Sequence, residues 1–281
     1  MARAATKTAI AAVPAPPPAA LPVLLAYTGR PRARDMLKRV FPKRRHQLIF
    51  VRTPDELEAW LRSSLVDAVI VDIAQPSVET WKAVALAPDF PSIPFFGLGP
   101  SRVADGGALA RCAAAEFADL IADGVDEGVL RDLVMPASFT CRFAAALHDA
   151  PSALGLEAPM QQKAWRAIVA HGGRTVRTEM IAEQLGVTRE HLSRSFSASG
   201  SPNLKRIIDL VRLIAAAELS KNPGYDVSDV AQVLEFASAS HLGSTALRIV
   251  GARSASLARL RATDLMERFR QGRGRSRRRA G

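Results

Sequence analysis

Ser193 and Arg194 follow Glu190 by three and four residues, so the three share one face of a helical pattern. Leu192 and Phe196 fall on the opposite face of that pattern. The polar set suits the reading of base edges. A guanidinium donates in pairs to guanine O6 and N7, a carboxylate accepts from cytosine N4, and a hydroxyl serves either. The element that must position these groups begins at Thr188, a residue type that caps helix N-termini. It follows Gly186 and an earlier short helical pattern over 178–185, whose Ile181 and Leu185 complete the apolar face. Helix, tight glycine turn, helix is the layout of a major-groove reader. A longer amphipathic helix is predicted over 204–219, after Gly200 closes the reading helix.

The second chemical candidate is Asp72, which ends an apolar run and is followed by Pro76. Apolar runs recur at 22–27, 46–51, 68–73, 94–98 and 118–122 with helical patterns between them. Thr53-Pro54-Asp55 opens one of those helices with a cap and a proline in its first turn. Strands alternating with helices predict a flavodoxin-like, five-stranded parallel sheet with helices on both faces. The run V-D-A-V-I-V-D-I-A-Q-P over 66–76 resembles the third strand of a response-regulator receiver domain, where the aspartate accepts a phosphoryl group. The rest of that machinery is missing. Tyr27, Thr28 and Gly29 stand where receivers carry an acidic pair for Mg²⁺. Asp123 falls near the position of the receiver lysine, and Leu98-Gly99 near the hydroxyl position. The resemblance therefore implies a pseudo-receiver, with Asp72 a vestigial phosphoacceptor that is expected to cap a loop at the strand end.

The pattern of 178–185 recurs at 227–234, and the segment after Gly186 recurs at 236–250. This is an internal repeat of two helix-turn-helix units joined by one long helix. It resembles the AraC/XylS family of bacterial transcription regulators, over H-L-S-R-S-F at 191–196, Gly200, Val211-Arg212-Leu213 with Ala217, and D-V-A-Q-V-L-E-F at 229–236. The resemblance implies that Glu190, Ser193 and Arg194 enter the major groove, with Arg194 the best base reader. The basic loop 174–177 offers Arg174 and Arg177 to backbone phosphates. The second unit departs from the family pattern. Glu235 replaces a glycine, Ser254 replaces a proline, and Ala239, Ser240, Gly243 and Ser244 are short at groove-facing positions. Ser240, Ser244 and Arg248 are its candidate DNA contacts. Two readers on one face would meet successive major grooves about 34 Å apart.

The chain of 281 residues carries a net charge of +11, which favours an anionic partner. The expected organisation is a disordered Ala/Pro arm (1–20), a regulatory or dimerisation domain (21–150), a linker (151–159), a DNA-binding domain (160–265) and a disordered arginine-rich tail (266–281). A helix carrying Phe139, Phe143 and Leu147 is expected to pack on the sheet rather than on a second copy. Cys112 and Cys141 have no metal-ligand spacing, so neither metal nor cofactor is expected. No apolar run has membrane-spanning length, and the protein is expected to be cytoplasmic. No Gly-rich phosphate loop or G-x-S-x-G elbow occurs, which argues against an enzyme. The expected function is sequence-specific double-stranded DNA binding and transcription regulation, with an architectural DNA-binding protein as the alternative. A second copy through the N-terminal domain, and RNA polymerase for an activator, are the other expected partners.

Overall fold

The computed structural model describes residues 21–99, 106–124, 127–197 and 202–278, with side chains through Gly272. The Ala/Pro arm, the Gly200 turn and Arg279 lie outside the described residues. The N-terminal half runs β1 (Val23–Tyr27), α1 (Pro31–Val40), β2 (Gln47–Val51), α2 (Pro54–Ser63), β3 (Ala68–Asp72), α3 (Val78–Val84), β4 (Phe95–Gly99), α4 (Gly106–Ala114), β5 (Asp119–Ala122) and α5 (Glu127–Ala137). The strands pair in parallel in the order β2-β1-β3-β4-β5. Leu25 lies opposite Ile49 on one side and Val69 on the other. Every residue of β3 and β4 is buried, because helices cover both faces and no face is left to be polar. The local start signals act as the residue types dictate. Thr53 accepts from the Glu56 N–H, and Ser77 and Thr80 cap one another reciprocally.

The C-terminal half is helical: α6 (Phe139–Ala146), α7 (Ala150–Ala153), α8 (Pro159–Val169), α9 (Thr178–Gln184), α10 (Arg189–Ser197), α11 (Leu204–Leu219), α12 (Val227–Val233), α13 (Ala239–Val250) and α14 (Ala262–Arg278). Helices α9 and α10 form one pair of short helices joined by a tight turn, or unit, and α12 and α13 form the other, with α11 between them. Thirteen of the residues of α11 are buried, so it is a central strut and not a surface spacer.

Two expected boundaries are corrected. Residues 151–159 are not a free linker, since Pro151, Leu154 and Leu156 are buried and α7 runs into their start. Their Pro/Gly/Ala composition is equally compatible with a tight packed crossing. Phe139, Phe143 and Leu147 join the same core, and the Trp165 indole donates to the Leu147 carbonyl at 2.9 Å. Nor is the tail disordered from residue 266. Helix α14 continues to Arg278, held by buried Leu265 and Phe269, with the Arg206 guanidinium 5.2 Å from the Phe269 ring centre. Packing of two apolar residues one turn apart supplies what the charged composition alone does not. Among the described residues, no helix is long and apolar enough to cross a membrane.

The two halves share one apolar core, which runs from Val23 and Leu25 in the sheet to Leu265 and Phe269 in α14. Polar contacts cross the same junction. Arg62 on α2 pairs with Asp229 on α12 at 2.7 Å and donates to the Gly224 carbonyl. The Tyr225 hydroxyl donates to the Leu61 carbonyl at 2.9 Å, and burial holds that phenol above its usual pKa, so it stays a donor. Asn222 accepts from the Ser92 N–H at 2.7 Å.

Candidate nucleic-acid interface and the carboxylate site of the sheet

The first unit is built as its residues require. Gly186 takes φ +66°, the left-handed conformation in which a glycine has no Cβ penalty. Thr188 then accepts from the His191 N–H at 3.1 Å. Leu192 and Phe196 are fully buried, and so is Ile181 of α9. This orientation leaves Glu190 and Arg194 exposed and Ser193 half-exposed, on the face opposite the core. Arg194 reaches only the Glu190 carbonyl, at 3.4 Å, and meets no carboxylate among the described residues. Arg177, just before α9, is also exposed. Arg189 pairs with Glu179 at 3.1 Å and ties α10 to α9, a contact that the sequence analysis did not single out.

The second unit reaches the same turn by other means. Glu235 adopts φ +56° where the first unit has Gly186. A side chain there is strained, and Arg212 compensates. The Arg212 guanidinium donates to the Leu234 carbonyl at 2.9 Å and the Glu235 carbonyl at 3.2 Å. It also lies 3.9 Å from the centre of the Phe236 ring. Thr175 donates to the same Glu235 carbonyl at 3.2 Å. Arg212 thus fastens the turn, a role invisible in the V-R-L motif. Ser238 caps α13 by accepting from the His241 N–H, and Leu242 and Ala246 fill the core. Ser240 and Ser244 are exposed, and the Ser244 hydroxyl donates to the His241 carbonyl. Arg248 is not free, because it pairs with Asp209 of α11 at 2.9 Å.

One predicted contact is overturned. Arg174 is not available to phosphate, since it is buried and paired with fully buried Asp67 at 2.9 Å. It also donates to the Leu65 carbonyl at 2.8 Å and to Thr140 Oγ1 at 3.2 Å. Gly172 and Gly173 lie at φ +63° and +89°, and a Cβ on Gly173 would fall 2.2 Å from the Ala215 Cβ. That close approach turns Arg174 inward while Arg177, three residues on, stays outside. The sheet half meets the second unit through α2 and α12, which leaves the polar faces of α10 and α13 exposed.

At the carboxyl edge of the sheet, Asp72 is buried and its Oδ2 accepts from Thr28 Oγ1 at 2.6 Å and from Arg30 Nε at 2.6 Å. Its Oδ1 accepts from the Ala74 N–H at 3.1 Å, the loop-capping contact expected of a strand end. The other nitrogens of Arg30 hold Asp123, at 2.6 and 3.2 Å. Hydrogen bonding to Asp123 and then Asp72 raises the guanidinium pKa against the opposing pull of partial burial. Arg30 was not a candidate, because nothing in its local sequence marks it as the partner of residues 42 and 93 positions away. A divalent cation does not fit this site. The guanidinium already lies between the two carboxylates, and Thr28 supplies a hydroxyl on the side where a receiver has acids. Among the described residues, no three His, Cys, Asp or Glu side chains are grouped to hold a metal ion.

No family model matches the chain, and neither does any curated protein. Solved structures similar to it include response regulators and receiver domains of histidine kinases. One is a response regulator from Thermotoga maritima, 18% identical, covering 42% of this chain and 97% of its own, with a TM-score of 0.36. Full-length FixJ from B. japonicum is 10% identical over 71% of this chain and 97% of its own, with a TM-score of 0.37. RcsB from Salmonella enterica serovar Typhimurium, solved bound to the promoter rprA, is 14% identical over 65% of this chain and 97% of its own, at 0.31.

Proposed function

We propose that this protein is a DNA-binding transcription regulator of the AraC/XylS type, with tandem helix-turn-helix units reading successive major grooves. The observation that carries the reading is the exposed polar face of α10, with Glu190, Ser193 and Arg194 projecting from a glycine-turned, fully packed unit. The first unit does most of the base reading, and Arg177 meets phosphate. The second unit, short at Ser240 and Ser244 and with Arg248 held by Asp209, reads shape and supports the backbone contact. The protein works by binding, not catalysis, in the cytoplasm. A second copy through the sheet domain, and RNA polymerase if it activates, are its protein partners. Asp72 is a structural anchor here, engaged by Arg30 and Thr28, and the sheet domain acts as a pseudo-receiver. Incubation with acetyl phosphate and Mg²⁺ is expected to leave no acyl phosphate. A stoichiometric adduct lost in Asp72→Ala would refute the anchor role.

The decisive experiment is selection of bound duplexes from a random pool, followed by Arg194→Ala. The variant is expected to lose about 1–3 kcal/mol at the selected site and little on random DNA. Equal losses on both would mean that Arg194 touches only phosphate. The depleted second unit favours one alternative, an architectural protein. Footprinting that shows uniform coverage without preference would establish that alternative.

A further inference from the structure

We propose that the cavity at the carboxyl ends of β1, β2 and β3 binds a phosphorylated small molecule. Its walls follow the strand ends: Tyr27 to Arg30 at the end of β1, Val51 and Arg52 at the end of β2, and Asp72 at the end of β3. In this strand order the winding reverses between β1 and β3, and helices diverge there to leave a crevice. The cavity measures about 620 Å³, within the range of small-molecule sites.

Charge selects the ligand class. Three arginines line the cavity, Arg30, Arg34 and Arg52, against one carboxylate, Asp72. Arg30 is shared between Asp72 and Asp123, so the uncompensated charge rests on the other two. The Arg34 guanidinium lies 4.5 Å from the Phe50 ring centre, which orients its plane without using its N–H groups. Arg52 is exposed, and neither it nor Arg34 pairs with a carboxylate among the described residues. The Glu56 carboxylate accepts the Arg52 backbone N–H, not its guanidinium. Glu79, the next acid along the rim, is paired with Lys82 at 2.8 Å. The ten-residue helix α1 starts in the same wall with no side-chain cap on its first N–H groups. Two forked guanidinium groups beside a helix N-terminus match the oxygens of a phosphate dianion. Tyr27, Pro31 and Val51 give the rest of the molecule an apolar wall.

The test is calorimetric titration of the full chain with adenosine 5′-monophosphate, inorganic phosphate and adenosine. Saturable binding of the monophosphate is expected, and none of adenosine. Arg34→Ala/Arg52→Ala should weaken binding by about tenfold or more, with the protein still folded. Arg52→Glu alone, at an exposed position, should weaken it in the same direction and serves as the variant least able to disturb folding. Equal binding of inorganic phosphate with the same arginine dependence supports the site and assigns its ligand to the free anion. No saturable binding by either anion, or binding indifferent to both variants, overturns the proposal. Neither result bears on DNA recognition by α10, which is read separately on duplexes.

Discussion

The two ends of β3 carry the same chemistry to different effect. Asp67 precedes the strand and Asp72 ends it, and each carboxylate holds an arginine distant in sequence, Arg174 and Arg30. At Asp67 the pair is sealed. The carboxylate is fully buried and accepts from the Val23 N–H at 2.9 Å, the Thr140 N–H at 3.0 Å and Arg174 at 2.9 Å. At Asp72 the carboxylate is nearly as buried, but its arginine is 27% exposed, against 10% for Arg174, and is divided with Asp123. Solvent access, rather than residue type, separates a fastening between the two halves from a charged rim open to ligands. A sealed pair must satisfy every donor and acceptor, because nothing else can.

The largest effect is expected where the pair is sealed. Asp67→Ala or Arg174→Met should each cost about 3–5 kcal/mol in urea unfolding, since each leaves a buried charge without its partner. A cost below about 1 kcal/mol would erase the distinction between the two ends of β3. At the open end, Arg30→Ala should cost about 1–2 kcal/mol, because water replaces part of what the guanidinium gives to Asp72 and Asp123. A double-mutant cycle of Arg30→Ala with Asp72→Ala should return a coupling of about 1 kcal/mol; a value near zero would show that the bridge contributes nothing. Arg212 extends the comparison to a buried arginine held by carbonyls and an aromatic ring. Its task is to secure the strained Glu235 turn, so Glu235→Gly should stabilise the protein by about 0.5–1 kcal/mol, read as a raised melting temperature. Destabilisation instead would mean that the Glu235 side chain matters more than its backbone strain.

Much of this was legible in the chain. The five apolar runs located the strands to within about a residue, most directly at the central strands β1, β3 and β4, where burial on both faces needs an uninterrupted apolar segment. The Gly186 turn, the Thr188 cap and the outward face of α10 follow from local rules that act within a few residues. The partner of each charge was not legible. Arg174 and Arg177 look alike in sequence, and only the packing of Gly173 on Ala215 and the inward partners of Arg174 tell them apart. Residues 151–159 read as a linker and residues 266–281 as a tail, for neither composition shows what lies across from it.

By itself, the sequence determined the wound parallel sheet, the repeated pairs of short helices and the polar face that α10 presents, since all three are written in short-range periodicity, caps and turns. Only the tertiary structure decided that the two halves share one core, that Arg174 locks Asp67, and that Arg30 bridges Asp72 to Asp123. Those pairings join residues from 42 to 107 positions apart, and a charge chooses its partner by distance and burial in space, neither of which a local pattern records.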